Sequence, residues 1–461
     1  MKTGLGIRVL AFVACLTATA LPAQSVDLSL DDARLLARQA IAAGEFALAR
    51  ELGQKLIAVD PDDRLALLVL AVAEPQLGDA DAGWEAGVRA WRLSETGATR
   101  YEAARVTALA AANGERFTLS TIWLRIALND APDEAARAQT LQDARAVTRR
   151  NPWSTSLIFS IVPSNNINGG AADDELTFDD IDAPDLGLSE DAVALSGWRQ
   201  TFGLRTQYRL QETNDSRTSV GLQYTANRAR ITDDVSIPDE ALTSNYAELS
   251  LRHDQVLENG VITGRVAAGT FDYRSYRSLT DTLEFEKYDL LRFGVDRIFP
   301  LADDVSLGLT AQRERLYYLS EGIGRVDRTI LRSTLSYALA GNNRSTLSLS
   351  LTDSNGVEND NFTFQSLTLQ GGYSWGEPIG PISLAINGGF RLSEYPDYDI
   401  FFVSGAREDQ SVFFGMNIGL PDIEYFGFSP GWAINAERTE SNISRFERDT
   451  FSVGFTLSSA F

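Results

Sequence analysis

The chain of 461 residues carries 41 lysine and arginine residues against 63 acidic residues, a formal net charge of −22. This acidic balance excludes a typical nucleic-acid-binding protein, because phosphate contacts require clustered basic side chains. A single histidine and a single cysteine exclude most metal sites built from these residues, and no cofactor is expected.

Residues 1–23 are predicted to be a secretory signal peptide. Lys2 and Arg8 precede an apolar segment, residues 9–21, that is too short to span a bilayer as a helix. Small residues follow, and cleavage is expected after Ala23 or Ala20. The only cysteine lies in this segment, so the mature protein is expected to contain no thiol. No later apolar run is long enough for a transmembrane helix, so any span must use strands.

Residues 24–150 are predicted to form an α-helical domain of about three tetratricopeptide-like repeats. Gly44 and Phe46, followed by Pro61, fit a helical hairpin ended by proline. Gly78 lies 34 residues after Gly44, and Phe117 lies 71 residues after Phe46, close to two repeat periods. Such a stack presents a surface to a polypeptide partner, although it is also compatible with merely supporting the barrel.

Three tryptophans of this domain are predicted to lie in its core rather than to face a ligand. Trp84 and Trp91 are spaced by seven residues, which suits one buried stripe of a helix, and Trp123 lies in a later apolar segment.

Residues 151–461 are predicted to form a 14-stranded antiparallel transmembrane β-barrel, so the fold class is α + β multidomain. Beyond Trp153 the apolar residues alternate with polar ones, as lipid outside and water inside require. The strands are predicted to centre on Phe159, Leu204, Leu222, Leu249, Val266, Phe293, Leu309, Leu335, Leu349, Leu369, Ile386, Met416, Trp432 and Phe455.

The connections between these strands alternate in length. Segments 171–195, 273–286 and 393–409 are predicted to be long external loops, whereas 212–217 and 300–304 are short turns. This asymmetry is typical of outer-membrane barrels. An even strand count places both ends of the barrel domain on the short-turn side, so the helical domain is expected in the periplasm.

The chain ends in an amphipathic strand with a terminal aromatic residue. Phe455, Leu457 and Phe461 share one face, and this ending resembles the signal read by the outer-membrane barrel assembly machinery. That machinery and outer-membrane lipid are therefore expected partners.

No catalytic constellation is apparent, and the chain is predicted not to be an enzyme. Residues 427–431 match G-x-S-x-G, but alternating strand residues follow Ser429, where a nucleophile elbow needs a helix. The acidic segment 173–185 lacks the spacing of an EF-hand, so a solvated loop is favoured over a calcium site.

The junction of the two domains carries a resemblance to a known family. Phe117, residues 123–125 and 131–134, then Arg149-Arg150-Asn151-Pro152-Trp153, and finally residues 163–168 resemble the surface lipoprotein assembly modifier (Slam) family. The resemblance implies a translocator that captures a surface lipoprotein or secreted binding protein in the periplasm and delivers it to the cell surface.

Within this junction, an asparagine-rich segment is the candidate site. Asn165, Asn166 and Asn168 either line the lower lumen or close the first strand as hydrogen-bonded turn residues. Two other classes stay open: an exopolysaccharide export porin, which joins more helical repeats to a barrel, and a plain diffusion porin, which needs no repeats.

Overall fold

The computed structural model describes residues 28–178, 181–278, 280–320, 322–400, 403–423 and 428–460. The predicted signal peptide and Phe461 lie outside the described residues. Within the described part, seven helices are followed by a closed antiparallel barrel of 14 strands. The predicted fold class is confirmed.

The helices follow one another in the order of the chain, each packed against the next. They are α1 (Leu30–Ala43), α2 (Phe46–Val59), α3 (Arg64–Gln76), α4 (Ala80–Arg92), α5 (Gly97–Asn113), α6 (Phe117–Asn129) and α7 (Glu134–Arg150). None of the described helices is long and apolar enough to cross a membrane.

The helix boundaries repeat at a nearly constant interval. The odd-numbered helices begin at Leu30, Arg64, Gly97 and Glu134, which are 34, 33 and 37 residues apart. Phe46 and Phe117, which the sequence places in equivalent positions, begin α2 and α6. The tetratricopeptide-like character of this stack stays a prediction.

Glycines permit the close approach of neighbouring helices. A Cβ atom on Gly87 of α4 would lie 2.4 Å from Thr107 Oγ1 of α5, and one on Gly83 would lie 2.5 Å from Pro75 of α3. Trp123 is buried and packs edge-on against Trp91 at 5.5 Å between ring centres. The buried side chains of the helices form three successive apolar clusters along the stack.

Ion pairs join successive odd-numbered helices on one side of the stack. These pairs fix the register of one helix against another, and they range from largely buried to half exposed. They are Arg34–Asp63, Arg64–Glu102 and Arg105–Asp143.

The barrel is closed by pairing of its first and last strands, β1 and β16, and every neighbouring pair is antiparallel. Each of the 14 predicted strand centres lies in one barrel strand, which confirms the strand count. The barrel strands are β1 (Trp153–Ser164), β4 (Gly197–Glu212), β5 (Ser216–Ile231), β6 (Ser244–Leu257), β7 (Gly260–Arg277), β8 (Thr282–Pro300), β9 (Val305–Tyr318), β10 (Arg325–Ala338), β11 (Arg344–Gly356), β12 (Phe364–Ser374), β13 (Ser383–Ile400), β14 (Val403–Gly419), β15 (Phe428–Ser441) and β16 (Arg448–Ala460). A separate hairpin, β2 (Glu175–Phe178) and β3 (Ile181–Gly187), lies in the connection between β1 and β4.

Ion pairs identify the inner face of the barrel. Glu248 on β6 pairs with Arg292 on β8 although β7 lies between them, and Arg391 on β13 approaches Glu437 on β15 at 3.7 Å across β14. Side chains of alternate strands come this close on the concave side of a curved sheet, which is the inside of the barrel. Residues in register with these side chains face inward, and the intervening residues face outward.

The outward face is an apolar belt. Leu347, Leu349 and Leu351 of β11 are 43–49% exposed, and each lies in register with at least one outward leucine of β10 or β12. On the inward face the same strand carries Ser348 and Ser350. The alternation seen in the sequence therefore separates an apolar exterior from a polar interior.

Two connections predicted as long loops are mostly strand. β7 and β8 stay paired as far as Arg277 and Thr282, and β13 and β14 as far as Ile400 and Val403. The alternation of apolar and polar residues ends earlier, because a hairpin that extends into water needs no apolar face. Backbone pairing continues there without that pattern.

We expect Leu349→Arg to destabilise the folded barrel by about 2–4 kcal/mol, since its side chain faces lipid near mid-strand. Ser350→Arg is the matched control, because its side chain faces the polar interior and should change stability far less. Denaturant unfolding in lipid vesicles measures the difference. Equal losses in the two variants would contradict the assignment of the faces.

We expect Gly87→Ala to destabilise the helical stack by about 1–3 kcal/mol, because the added methyl group overlaps Thr107. Gly97→Ala is the control, since its Cβ would lie at an ordinary 3.7 Å from Asp130. Thermal unfolding of the full chain, followed by circular dichroism at the helical band, reports the change. A lower transition temperature for Gly97→Ala alone would contradict the packing described.

Candidate functional site

The helices and the barrel are joined by a very short connection. α7 ends at Arg150 and β1 begins at Trp153. The buried Asn151 donates a hydrogen bond to Thr118 Oγ1 of α6 at 3.1 Å and accepts one from the Trp153 amide at 3.0 Å. One side chain thus links the stack to the first barrel strand. We call this end of the barrel the near end and the opposite end the far end.

An arginine of the barrel strengthens this junction. The Arg209 guanidinium, on β4, donates to the backbone oxygens of Arg149, Arg150 and Asn151 at 3.2–3.3 Å. These carbonyls lie at the C-terminal end of α7, where the helix dipole favours a cation. A polar cavity of about 610 Å³ lies beside them, lined by residues of α7, β1, β4 and β5.

The inner wall between β10 and β14 is rich in hydroxyl and amide groups. It encloses a cavity of about 490 Å³ in which Arg332 and Arg391 are the charged residues. The other side chains that line it on β10, β11 and β12 are mostly serine, threonine and glutamine, such as Thr346, Ser350 and Gln370. The polar groups of such a wall can form hydrogen bonds with a hydrated polymer at many equivalent positions, so no one specific contact is required.

A charged network crosses the inner wall from β6 to β10. Arg292 on β8 pairs with Glu248 on β6 and with Glu314 on β9, the latter at 2.8 Å. Glu314 also approaches Arg328 on β10 at 3.6 Å. Both carboxylates are buried, so this network is a fixed feature of the interior and ties four strands together.

The predicted asparagines lie at the far end of β1, away from the helices and not in the lower lumen. Asn166 is 5% exposed, and it exchanges hydrogen bonds with the backbone of Gly170 at 2.9 Å. Asn168 donates to Val193 O at 2.7 Å, and Asn165 accepts from the Phe451 amide at 2.7 Å. This arrangement corresponds to the second alternative, in which these residues close the first strand. Any functional role of these asparagines stays a prediction.

The segment after β1, residues 165–196, packs against other connections at the far end. Ile167 and Leu195 form an apolar cluster with Ile237 and Ala241 of the β5–β6 connection. Ser444, before β16, donates to Glu175 O at 2.9 Å and accepts from the Thr177 amide at 2.8 Å. The far end is therefore partly covered by its own connections.

Asp191 joins this cover to the β7–β8 hairpin. Burial favours its neutral form, but hydrogen bonds from Ser278 and Ser189 outweigh burial and hold the pKa of Asp191 below its usual value. A carboxyl whose pKa is lowered in the folded state stabilises the fold at pH values above its ordinary pKa. This stabilisation is lost as the pH falls through the lowered pKa.

A caged arginine sits beneath the last connection. Arg407, 7% exposed, forms an ion pair with the buried Asp409. Its guanidinium lies 3.3 Å from the centre of the Phe446 ring and 4.2 Å from that of Tyr395. Because Phe446 follows β15 and Tyr395 belongs to β13, these contacts fasten the last connection to the inner wall.

The other residues singled out from the sequence form no site in this interior. Phe455 and Leu457 face outward on β16, where Phe455 packs edge-on against Trp432 at 5.8 Å. Their role in assembly stays a prediction. Ser429 lies inside β15 with no helix after it, and His253 Nδ1 lies 2.8 Å from Thr218 Oγ1 on the neighbouring strand. Among the described residues no group of acidic or histidine side chains is arranged to hold a metal.

The sequence interpretation missed Arg209, Arg292 and Arg407. A signal for such residues was present, because Arg199, Arg205 and Arg209 of β4 occupy positions opposite in phase to its outward apolar residues. Several of their contacts join parts distant in sequence, such as Arg209 with the end of α7 and Arg292 with Glu248, so these pairs were not predictable.

No known protein family matches the sequence, and no curated protein is significantly similar to it. Among solved structures, OccAB3 of Acinetobacter baumannii is 11% identical, with 67% of this chain and 99% of that chain covered and a TM-score of 0.36. OpdQ of Pseudomonas aeruginosa is 11% identical, with 67% and 98% covered and a TM-score of 0.31. SycD, a type III secretion translocator chaperone of Yersinia enterocolitica, is 14% identical, with 27% and 88% covered and a TM-score of 0.24. At these values the likenesses assign no function.

The described residues themselves establish the class of the C-terminal part. A closed antiparallel sheet satisfies every strand edge, and its exterior is apolar while its interior is charged and hydroxyl-rich. These are the requirements of a transmembrane β-barrel of the outer-membrane type.

We expect Arg209→Gln to loosen the helical stack from the barrel, because three carbonyls at the end of α7 lose their charged donor. Limited proteolysis should then cut between the two parts severalfold faster. Arg205→Gln is the control, since Arg205 faces the same interior but donates to Gln223 of β5. If both variants are cut at the rate of the unaltered chain, Arg209 does not hold the junction.

Proposed function

We propose that this protein is an outer-membrane translocator that captures a specific surface lipoprotein or secreted protein in the periplasm and delivers it to the cell surface. The observation that best supports the proposal is the junction between the helical stack and the barrel. The helical stack continues into the first barrel strand through Asn151, and Arg209 fastens its last helix to the near end. A client held on the stack would therefore lie beside the barrel.

The surface of the stack supports a polypeptide client. Several large apolar side chains are exposed to water there, although the stack buries apolar clusters of its own. Exposed apolar side chains on a helical repeat favour contact with another chain. The most exposed include Leu35, Leu48, Val59 and Leu109, at 42–67%.

The two ends of the barrel give the proposal a direction. The near end carries the helical stack, and the far end is covered by the segment after β1 and by the connection that holds Phe446. Delivery to the cell surface requires these far-end contacts to open. The described residues carry no group that would provide chemical energy for opening these contacts. Binding and folding of the client would therefore drive the opening.

The alternative is an exopolysaccharide export porin with a helical periplasmic domain. One observation favours it: the cavity of about 490 Å³ inside the barrel is lined mainly by hydroxyl, amide and guanidinium groups, which suit sugar hydroxyls. The exposed apolar side chains of the stack favour a polypeptide instead, so we place the translocator first.

To test the function, residues 28–150 are deleted and intact cells are treated with protease to release surface proteins for identification. We expect at least one protein to disappear from the surface and accumulate in the periplasm, because the capture surface is gone. Heat-modifiable migration of the truncated chain on gels controls for a folded barrel.

The same cells distinguish the alternative. Surface polysaccharide is quantified in parallel, and its loss with an unchanged set of surface proteins would support the export porin. Undiminished display of every surface protein and of polysaccharide would overturn both roles for the helical stack.

A further inference from the structure

Three arginines surround one buried aspartate on the outside of the barrel wall. Asp327 on β10 is 6% exposed and lies in register with outward residues of β9 and β11. Arg315 Nε approaches it at 2.9 Å, Arg313 at 3.4 Å and Arg325 at 3.6 Å. One carboxylate neutralises one of these charges, so the cluster retains two positive charges on the wall of an otherwise acidic protein.

These arginines lie just beyond the apolar belt. On β9 the outward residues from the near end are Leu307, Leu309 and Ala311, followed by Arg313 and Arg315. Each guanidinium of the cluster is 41–49% exposed at its side chain. Arg325 Nε is buried and has no hydrogen-bond partner among the described residues.

An apolar groove leads along the outer wall to this cluster. It has a volume of about 550 Å³ and crosses β6 to β10. Gly264 leaves its floor open, because a Cβ atom at this position would meet nothing within 4 Å. Its walls include Val266, Phe293 and Val295, and Arg313 lies among the residues at its end.

The groove rises from the belt toward the far end. Successive register partners along it are Leu251, Val266, Phe293 and Arg313. Their distances from the near end of their strands grow from six residues at Leu251 to eight at Arg313. An apolar chain in the groove would therefore lie within the belt and end beside the arginines.

We propose that this groove and the Arg313–Arg315–Arg325 cluster bind a membrane lipid whose head group carries an exposed phosphate. The acyl chain occupies the groove and the phosphate is held by the two uncompensated guanidinium charges, which match its geometry and charge. A zwitterionic lipid fits the groove but not the cluster. Outward acidic residues lie on the strands to either side, Asp289 on β8 and Asp353 on β11, and confine the phosphate to the β9–β10 sector.

This proposal depends on the barrel lying in a membrane, but it does not depend on the identity of a client. It is tested on the full-length chain, purified in a neutral detergent. Dioleoyl phosphatidic acid, dioleoyl phosphatidylcholine and inorganic phosphate are added separately, and bound species are counted by native mass spectrometry. We expect the unaltered chain to retain phosphatidic acid in preference to phosphatidylcholine.

Three variants locate the site. Arg313→Gln/Arg315→Gln should weaken phosphatidic acid binding roughly tenfold or more, because two phosphate-facing charges are lost. Arg228→Gln/Arg230→Gln removes two outward arginines of β5 near the far end and should leave binding unchanged. Gly264→Leu should fill the groove and weaken binding of the lipid without disturbing the fold. Heat-modifiable migration verifies that each variant forms a barrel.

Equal binding by the Arg313/Arg315 variant, or equal retention of phosphatidylcholine by the unaltered chain, would overturn the proposal. Displacement of the lipid by inorganic phosphate at matched concentration would show a free-anion site and overturn it as well. Unchanged binding by Gly264→Leu would overturn the groove as the acyl site. Failure of client display has no bearing on these readouts, so the two proposals fail separately.

Discussion

Backbone hydrogen bonding of the sheet is the constraint on which the rest of this structure depends. In lipid an unpaired backbone amide or carbonyl costs several kcal/mol, so a sheet is stable there only when its first and last strands pair. β1 pairs with β16 over most of its length, from Ser156 to Ser164. Once the sheet is closed, the alternation of side chains divides it into a face for lipid and a face for water.

The closed sheet also explains how charges persist inside the barrel. The Arg292–Glu248–Glu314 network lies in the inner wall, where each charge is paired and hydrogen-bonded. Removing one partner would leave an uncompensated buried charge. At the far end Arg407 is held in the same way, by Asp409 and aromatic rings. The interior is thus a set of fixed charges rather than a uniform channel wall.

The sequence predicted the strands well because lipid imposes a periodic pattern. All 14 strand centres were recovered, and the equivalence of Phe46 and Phe117 reappears as the starts of α2 and α6. The extents of β7–β8 and β13–β14 were underestimated, since pairing in water needs no apolar alternation. The contacts of Asn168 with Val193 and of Arg407 with Phe446 could not be predicted, because they involve connections whose path is set by the whole barrel.

The two-residue connection between α7 and β1 has a mechanical consequence. Two residues extend to at most about 7 Å, so the stack cannot swing freely about the barrel. Any force on the stack acts directly on β1, the strand that seals the cylinder against β16. A load on the helices at the near end would therefore strain the β1–β16 seam before it reached the other strands.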